Sequence, residues 1–77
     1  MKEKIIDLLT DIRPEFNFRE TSNFIENGML DSFDILQLVV SLDNEFGISI
    51  EGMDILPENF SSVESISQLL IKNGIAK

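Results

Sequence analysis

Asp31 and Ser32 are adjacent polar residues that stand immediately before an amphipathic stretch of the chain. Both residue types are favoured where a helix begins, because their side chains accept a hydrogen bond from a backbone N–H of the first turn. The same position places the Ser32 hydroxyl beside unpaired backbone N–H groups, which would stabilise a phosphate ester. The pair therefore has two interpretations, a helix cap and an attachment point for a phosphate ester.

The chain lacks the groups that would make Ser32 a catalytic nucleophile. It contains no histidine and no cysteine, which excludes the usual bases, thiolates, disulfides and zinc ligands. No run of acidic residues has the alternate spacing of a calcium-binding loop. We therefore expect that the chain is not an enzyme, that it holds no metal, and that a separate enzyme must activate Ser32 if this residue reacts.

Length and charge limit the remaining functions. The chain has 77 residues, 43% of them hydrophobic, and a formal net charge of −8. These values predict a single folded domain spanning residues 1–77, with a surface that repels nucleic acids and anionic lipids. No segment is long and apolar enough for a secretory signal or a membrane span. We expect a monomeric cytoplasmic protein that does not insert into membranes.

Hydrophobic spacing predicts three main helices. The first runs from Lys2 to Ile12 and is stopped by Pro14. The second runs from Ser32 to Phe46, is capped by Asp31 and ends at Gly47 in a left-handed conformation. The third begins near Ser61 or Ser62, where Ser61 and Glu64 have the spacing of a capping box, and ends at Gly74. The residues expected to face the core are Ile5, Leu8, Leu9, Ile12, Leu38, Val39, Leu42, Phe46, Val63, Ile66, Leu69 and Leu70.

The connections are expected to be ordered but irregular. The segment from Arg13 to Asp31 carries several large apolar residues, so we expect it to pack on the core, with room for a brief helical turn at residues 21–25. Residues 48–51 are predicted to form an extended connector, followed by one or two irregular helical turns up to Phe60. The fold class is therefore all-α, a small antiparallel bundle of three main helices and one short irregular helix.

The sequence resembles the acyl carrier protein family. The resemblance is carried by Asp31-Ser32, by the preceding Gly28-Met29-Leu30, by Glu45-Phe46-Gly47-Ile48 at the end of the second helix, and by the segment Pro57-Glu58-Asn59-Phe60. It implies that the fold is a four-helix bundle. It also implies that a separate enzyme, a phosphopantetheinyl transferase assisted by magnesium, attaches 4′-phosphopantetheine from coenzyme A to Ser32. Asp31 would help to position the serine and the coenzyme. The terminal thiol would then carry acyl groups as thioesters in fatty acid or specialised-metabolite biosynthesis.

The resemblance also implies that the second helix is recognised by partner enzymes, namely acyl- or aminoacyl-loading ligases and downstream synthases with basic docking surfaces. Helical phase places Phe33, Leu36 and Val40 on an apolar strip flanked by Asp34 and Gln37, with Leu36 equally well placed for the core. The carboxylates expected to meet basic residues of the partner are Asp34, Glu45, Glu51 and Asp54.

Two departures from carriers of fatty acid synthesis favour a dedicated pathway. Phe33 stands where those carriers usually have leucine, and Gln37 stands where they have a second acidic residue. The segment from Pro57 to Phe60 is more similar to that of discrete carriers of amino acids, including D-alanyl carrier proteins. One alternative is therefore an aminoacyl or D-alanyl carrier that an adenylating ligase loads. Another, from a different class, is an acidic helical interaction module without a prosthetic group, for which Ser32→Ala would leave activity intact.

Overall fold

Three α-helices account for most of the regular structure in the computed structural model, which describes residues 1–74. They are α1 (Lys2–Ile12), α2 (Ser32–Phe46) and α3 (Val63–Lys72), and two short 3₁₀ helices, Gly52–Asp54 and Pro57–Phe60, lie between α2 and α3. No strand occurs within residues 1–74. The predicted all-α bundle is confirmed, with two short 3₁₀ helices where one irregular helix was expected. The single-domain prediction also included residues 75–77, which lie outside the described range.

Local signals set the ends of α1 and α2 where the sequence predicted them. Arg13, which precedes a proline, leaves the helical region with φ −134° and ψ 78°. Asp31 caps α2 by accepting a hydrogen bond from the Asp34 amide, and Gly47 ends it with φ 65°, in the left-handed region that glycine adopts without strain.

The start of α3 differs from the predicted capping box. Ser62, with φ −156°, is the N-cap, and its hydroxyl accepts a hydrogen bond from the Ser65 amide at 3.0 Å. Ser61 has φ −80° and ψ −16° and closes the second 3₁₀ helix instead. Because an N-cap residue needs extended backbone, Ser61 cannot form the expected box with Glu64.

The core lies where α1, α2 and α3 meet. The fully buried side chains with the largest volumes come from all three helices, from the long loop and from the second 3₁₀ helix: Phe18, Phe24, Phe60, Ile5, Leu9, Leu38, Leu42, Ile66 and Leu70. On α2 the prediction needs one change, since Ile35 is buried whereas Phe46 is only partly buried. Ile35, Leu38 and Leu42 follow offsets of three and seven along the centre of the buried face, and Phe46 lies at the end of the helix, against the edge of the core.

The loop at residues 13–31 packs over the core as expected. Phe18 and Phe24 are buried and meet edge to face, with ring centroids 5.0 Å apart. The Phe24 amide donates to the carbonyl of Ser61 at 2.8 Å, which ties the loop to the segment before α3. The helical turn considered at residues 21–25 does not form, because Asn23 has φ 54° and interrupts the helical backbone.

The connector after α2 contains no helix or strand, its last residue Glu51 has extended backbone, and hydrogen bonds fix it from two sides. The Ile50 amide donates to Oδ1 of Asp43 in α2 at 3.1 Å, and the Glu51 amide donates to Oδ1 of Asn73 at 3.1 Å. These two backbone amides therefore donate to side chains near the ends of α2 and α3, instead of to the carbonyls of a neighbouring strand.

Candidate functional site

Ser32 is the first residue of α2, and its side chain is exposed. The cap that opens the helix is reciprocal. The Asp34 amide donates to Oδ1 of Asp31 at 2.9 Å, and the Asp31 amide donates to Oδ2 of Asp34 at 3.1 Å. The two aspartates therefore provide the acceptors for both capping amides, and the Ser32 hydroxyl is not needed for the cap. This hydroxyl makes no hydrogen bond to the part of the chain that the structure describes. The two interpretations of the Asp-Ser pair are compatible, because different side chains serve them.

A cation that the sequence analysis did not single out supports this cap. Nε of Arg13 donates to Oδ2 of Asp34 at 2.9 Å, and Nη2 of Arg13 lies 3.5 Å from Oδ2 of Asp31. Arg13 comes from the end of α1, where Pro14 turns the chain away from the helix. In the sequence, Pro14 marked the end of α1 at Arg13, but it gave no indication that Arg13 pairs with Asp31 and Asp34.

The charge state of Asp31 follows from these contacts. The hydrogen bond from the Asp34 amide holds the pKa of the Asp31 carboxyl below its usual range. Desolvation opposes this shift, and the positive charge of Arg13 supports it. The carboxylate is therefore ionised at neutral pH. A negative charge at the N-terminus of α2 is also favoured by the helix dipole.

The exposed side of α2 carries the apolar strip that the spacing predicted. The exposed fractions are 80% for Phe33, 54% for Leu36 and 60% for Val40. Leu36, which helical phase assigned equally to the core and to the surface, is therefore a surface residue. Gln37 is exposed beside the strip. Two further exposed apolar side chains, Met53 and Leu56, follow in the next segment, and the sequence analysis did not identify them.

The expected acidic docking residues divide into two groups. Glu45 and Glu51 are exposed, although Glu45 is paired with Lys4 at 2.7 Å. Asp34 and Asp54 are buried, with exposed fractions of 7% and 9%, which differs from the expectation that both face a partner. The physical reason is that each is held by a cation of this chain, Asp34 by Arg13 and Asp54 by Lys72.

Of three grooves on the surface of the described residues, none is lined by Ser32. A groove of about 500 Å³ lies elsewhere, between the N-terminal part of α1 and the exposed side of α3, and its lining does not include Ser32. Over residues 1–74 no group of carboxylates is arranged to hold a metal ion. No helix in the same range has the length and apolar character needed to cross a membrane. Ser32 therefore combines an exposed hydroxyl with a chain that contains no histidine or cysteine.

Comparison with known proteins identifies the class. The family described as "Phosphopantetheine attachment site" matches residues 3–70, and the chain belongs to this family. It is therefore a non-catalytic carrier of a covalently attached 4′-phosphopantetheine group, as the resemblance implied.

Several relatives have one name in common. The chain is 32% identical over 69 residues to a D-alanyl carrier protein of Lactococcus lactis subsp. cremoris, and 30% identical over 69 residues to one of Lactococcus lactis subsp. lactis, with 87% of each chain covered in both cases. It is 33% identical over 51 residues to a D-alanyl carrier protein of Bacillus velezensis, which covers 64% of this chain and 65% of the relative. No solved structure gives a significant match.

Proposed function

We propose that Ser32 is the residue that carries the phosphopantetheine. The observation that carries this proposal is the exposed hydroxyl at the first position of α2, left free by the reciprocal cap of Asp31 and Asp34. The site fits a phosphodiester because the first turn of a helix offers backbone N–H groups and the positive end of the dipole. When attached, the group supplies a terminal thiol that holds a carboxylic acid as a thioester.

We further propose that the cargo is D-alanine, loaded by an ATP-dependent adenylating ligase. The relatives named D-alanyl carrier proteins support this choice over the fatty acyl cargo of the main sequence-based interpretation. The packing of the bundle also supports it. Phe18, Phe24 and Phe60 are fully buried. A long acyl chain would have to displace such side chains to enter the interior, whereas an aminoacyl group needs no interior space. Because attachment of the group consumes coenzyme A and loading consumes ATP, we place the chain in the cytoplasm.

The roles of the remaining residues follow from their positions. Asp31 fixes the start of α2 and keeps a negative charge beside the attachment serine. Phe33, Leu36 and Val40 form an apolar docking strip for the ligase and for the enzyme that receives the cargo, and the exposed Gln37, Glu45 and Glu51 supply polar contacts. Asp34 and Asp54 are left out of this surface because both are buried in ion pairs.

The attachment residue is tested by intact-protein mass spectrometry after incubation with coenzyme A, magnesium and a broad-specificity phosphopantetheinyl transferase. We expect the wild type to gain the mass of one phosphopantetheinyl group, Ser32→Ala to gain none, and the control Ser49→Ala, at another exposed serine, to behave like the wild type. An unmodified wild type, under conditions that modify a known carrier, would contradict the proposal and favour the interaction module without a prosthetic group.

The cargo is tested on the modified protein. One sample receives ATP, D-alanine and the adenylating ligase of a known D-alanyl carrier protein, and a parallel sample receives ATP, a fatty acid and an acyl-loading ligase. We expect the mass of one D-alanyl group in the first sample, removed by hydroxylamine as a thioester would be, and no acylation in the second. Loading by the fatty acid alone would overturn the assignment of D-alanine and leave the attachment at Ser32 intact.

A further inference from the structure

Arg13 connects the end of α1 to the start of α2 with all three of its guanidinium nitrogens directed at carboxylates. Nε donates to Asp34 at 2.9 Å, Nη2 lies 3.5 Å from Asp31, and Nη1 lies 3.4 Å from Glu15. Its backbone has left the helix before Pro14, so that the side chain reaches across to α2. The planar fork of an arginine suits this arrangement, in which several acceptors surround one cation.

The contact of Arg13 with Asp34 involves the same carboxylate oxygen that takes part in the reciprocal cap. Oδ2 of Asp34 accepts both the Asp31 amide and Nε of Arg13. Asp34 is buried, and the carboxylate of Asp31 is part of the same cap, so two like charges lie together at the start of the helix. Without the cation, the buried carboxylate would lose its counter-charge and the two acids would repel each other. Ser32 follows Asp31 directly and precedes Asp34 by two residues, so it lies within the cap whose two carboxylates contact Arg13.

We propose that Arg13 is a positioning residue for the modification of Ser32, because it fixes the cap that presents the serine hydroxyl to the transferase in one orientation. In that step, Oγ of Ser32 forms a bond to the phosphorus that carries the pantetheine part of coenzyme A, and the bond from that phosphorus to adenosine bisphosphate breaks. The serine proton passes to a base of the transferase. The proposal rests on attachment at Ser32, and in it Arg13 acts only through Asp31 and Asp34.

The chain offers a matched control for the charge and size of this residue. Arg19 also forms a two-contact ion pair, with Glu3 at 2.6 Å, but both side chains are exposed and neither belongs to the cap of α2. Arg13→Met and Arg19→Met therefore remove the same guanidinium from the same small domain. Only the first of them releases the cap beside Ser32.

The experiment measures steady-state kinetics of phosphopantetheine transfer to apo-protein, at a temperature where circular dichroism shows every variant to be fully folded. For Arg13→Met we expect kcat to fall roughly tenfold with KM unchanged within about twofold, because orientation is lost while docking is kept. Arg13→Lys should recover part of the rate, since a lysine can meet Asp34 but not all the acceptors. Arg19→Met should match the wild type.

A second readout does not depend on the reaction. Amide hydrogen exchange at Asp34, measured by NMR, should be faster in Arg13→Met than in the wild type and unchanged in Arg19→Met, because the Asp34 amide donates within the cap. If Arg13→Met does not fold, Arg13→Lys takes its place in both measurements.

The outcomes separate this inference from the proposed function. An unmodified wild type contradicts attachment at Ser32, whatever the exchange data show. If the wild type is modified and folded Arg13→Met reacts with the wild-type kcat, Arg13 only stabilises the fold and the inference is overturned. A rise in KM alone would overturn it as well, because it would mean that the transferase binds Arg13 directly.

Discussion

Nζ of Lys72, in the last turn of α3, lies 2.8 Å from Oδ1 of Asp54 and ties α3 to the first 3₁₀ helix. The lysine is exposed, whereas the aspartate is buried. The side-chain amide of Asn59 donates to the backbone carbonyl of the same aspartate at 2.7 Å. Asp54 thus holds the segment between α2 and α3 in place through its side chain and its main chain.

Lys72→Met should destabilise the chain by about 1–3 kcal/mol, because it leaves a buried carboxylate without its counter-charge. The measurement is urea unfolding followed by circular dichroism at neutral pH. Lys2→Met serves as the control, since its ion pair with Glu64 is exposed on both sides and should contribute less than about 1 kcal/mol. Equal losses for the two variants would show that the burial of Asp54 does not matter to stability.

Asp31→Asn tests the charge at the start of α2. Asparagine is also a good N-cap, so the variant removes the charge and keeps the shape. Because the pKa of the Asp31 carboxyl is lower in the folded chain than its ordinary value, folding favours the ionised form. The stability that this provides is present above the ordinary pKa and is lost as the pH falls through the lowered one.

We therefore expect wild type to exceed Asp31→Asn in Tm at neutral pH and the difference to close as the pH falls below the ordinary pKa of an aspartate. Asp11→Asn, which removes an exposed charge from α1, corrects for the general effect of reducing the net negative charge. A difference between wild type and Asp31→Asn that stays constant over this pH range would contradict the lowered pKa.

Phe60→Ala should be far more damaging than Phe46→Ala. Phe60 is fully buried, and its truncation should cost about 3–5 kcal/mol, which approaches the whole stability of a small domain. Phe46 is partly buried at the end of α2, so its truncation should cost about 1–2 kcal/mol. Thermal unfolding followed by circular dichroism distinguishes the two. Similar losses would mean that the end of α2 packs more deeply than the structure has it.

Phe33→Ala should impair function without affecting the fold. The side chain is 80% exposed, so we expect a change in unfolding free energy of less than about 0.5 kcal/mol. If the apolar strip is the docking site, kcat/KM for loading by the adenylating ligase should fall roughly tenfold, as expected when an aromatic anchor is removed from an interface. Asn44→Ala, at an exposed polar position of the same helix, is the control. Loading of Phe33→Ala at the wild-type rate would place the docking site elsewhere.

The sequence alone determined the features that depend on neighbouring residues. Pro14, Asp31 and Gly47 set the ends of α1 and α2, because proline, an N-cap acid and a left-handed glycine act on the backbone within one turn. The same local signals predicted the exposed serine at the start of α2. Hydrophobic spacing predicted most of the core, since helical periodicity decides which side chains share a face.

The tertiary structure decided which charges are available to a partner. Asp34 and Asp54 looked like surface acids in the sequence, but both are buried, and they pair with Arg13 and Lys72, which lie 21 and 18 residues away along the chain. It also placed Leu36 on the surface rather than in the core. Such outcomes depend on how the helices pack against one another, because ion pairs between distant segments, and the burial of a residue at the edge of a helix face, arise only when those segments meet.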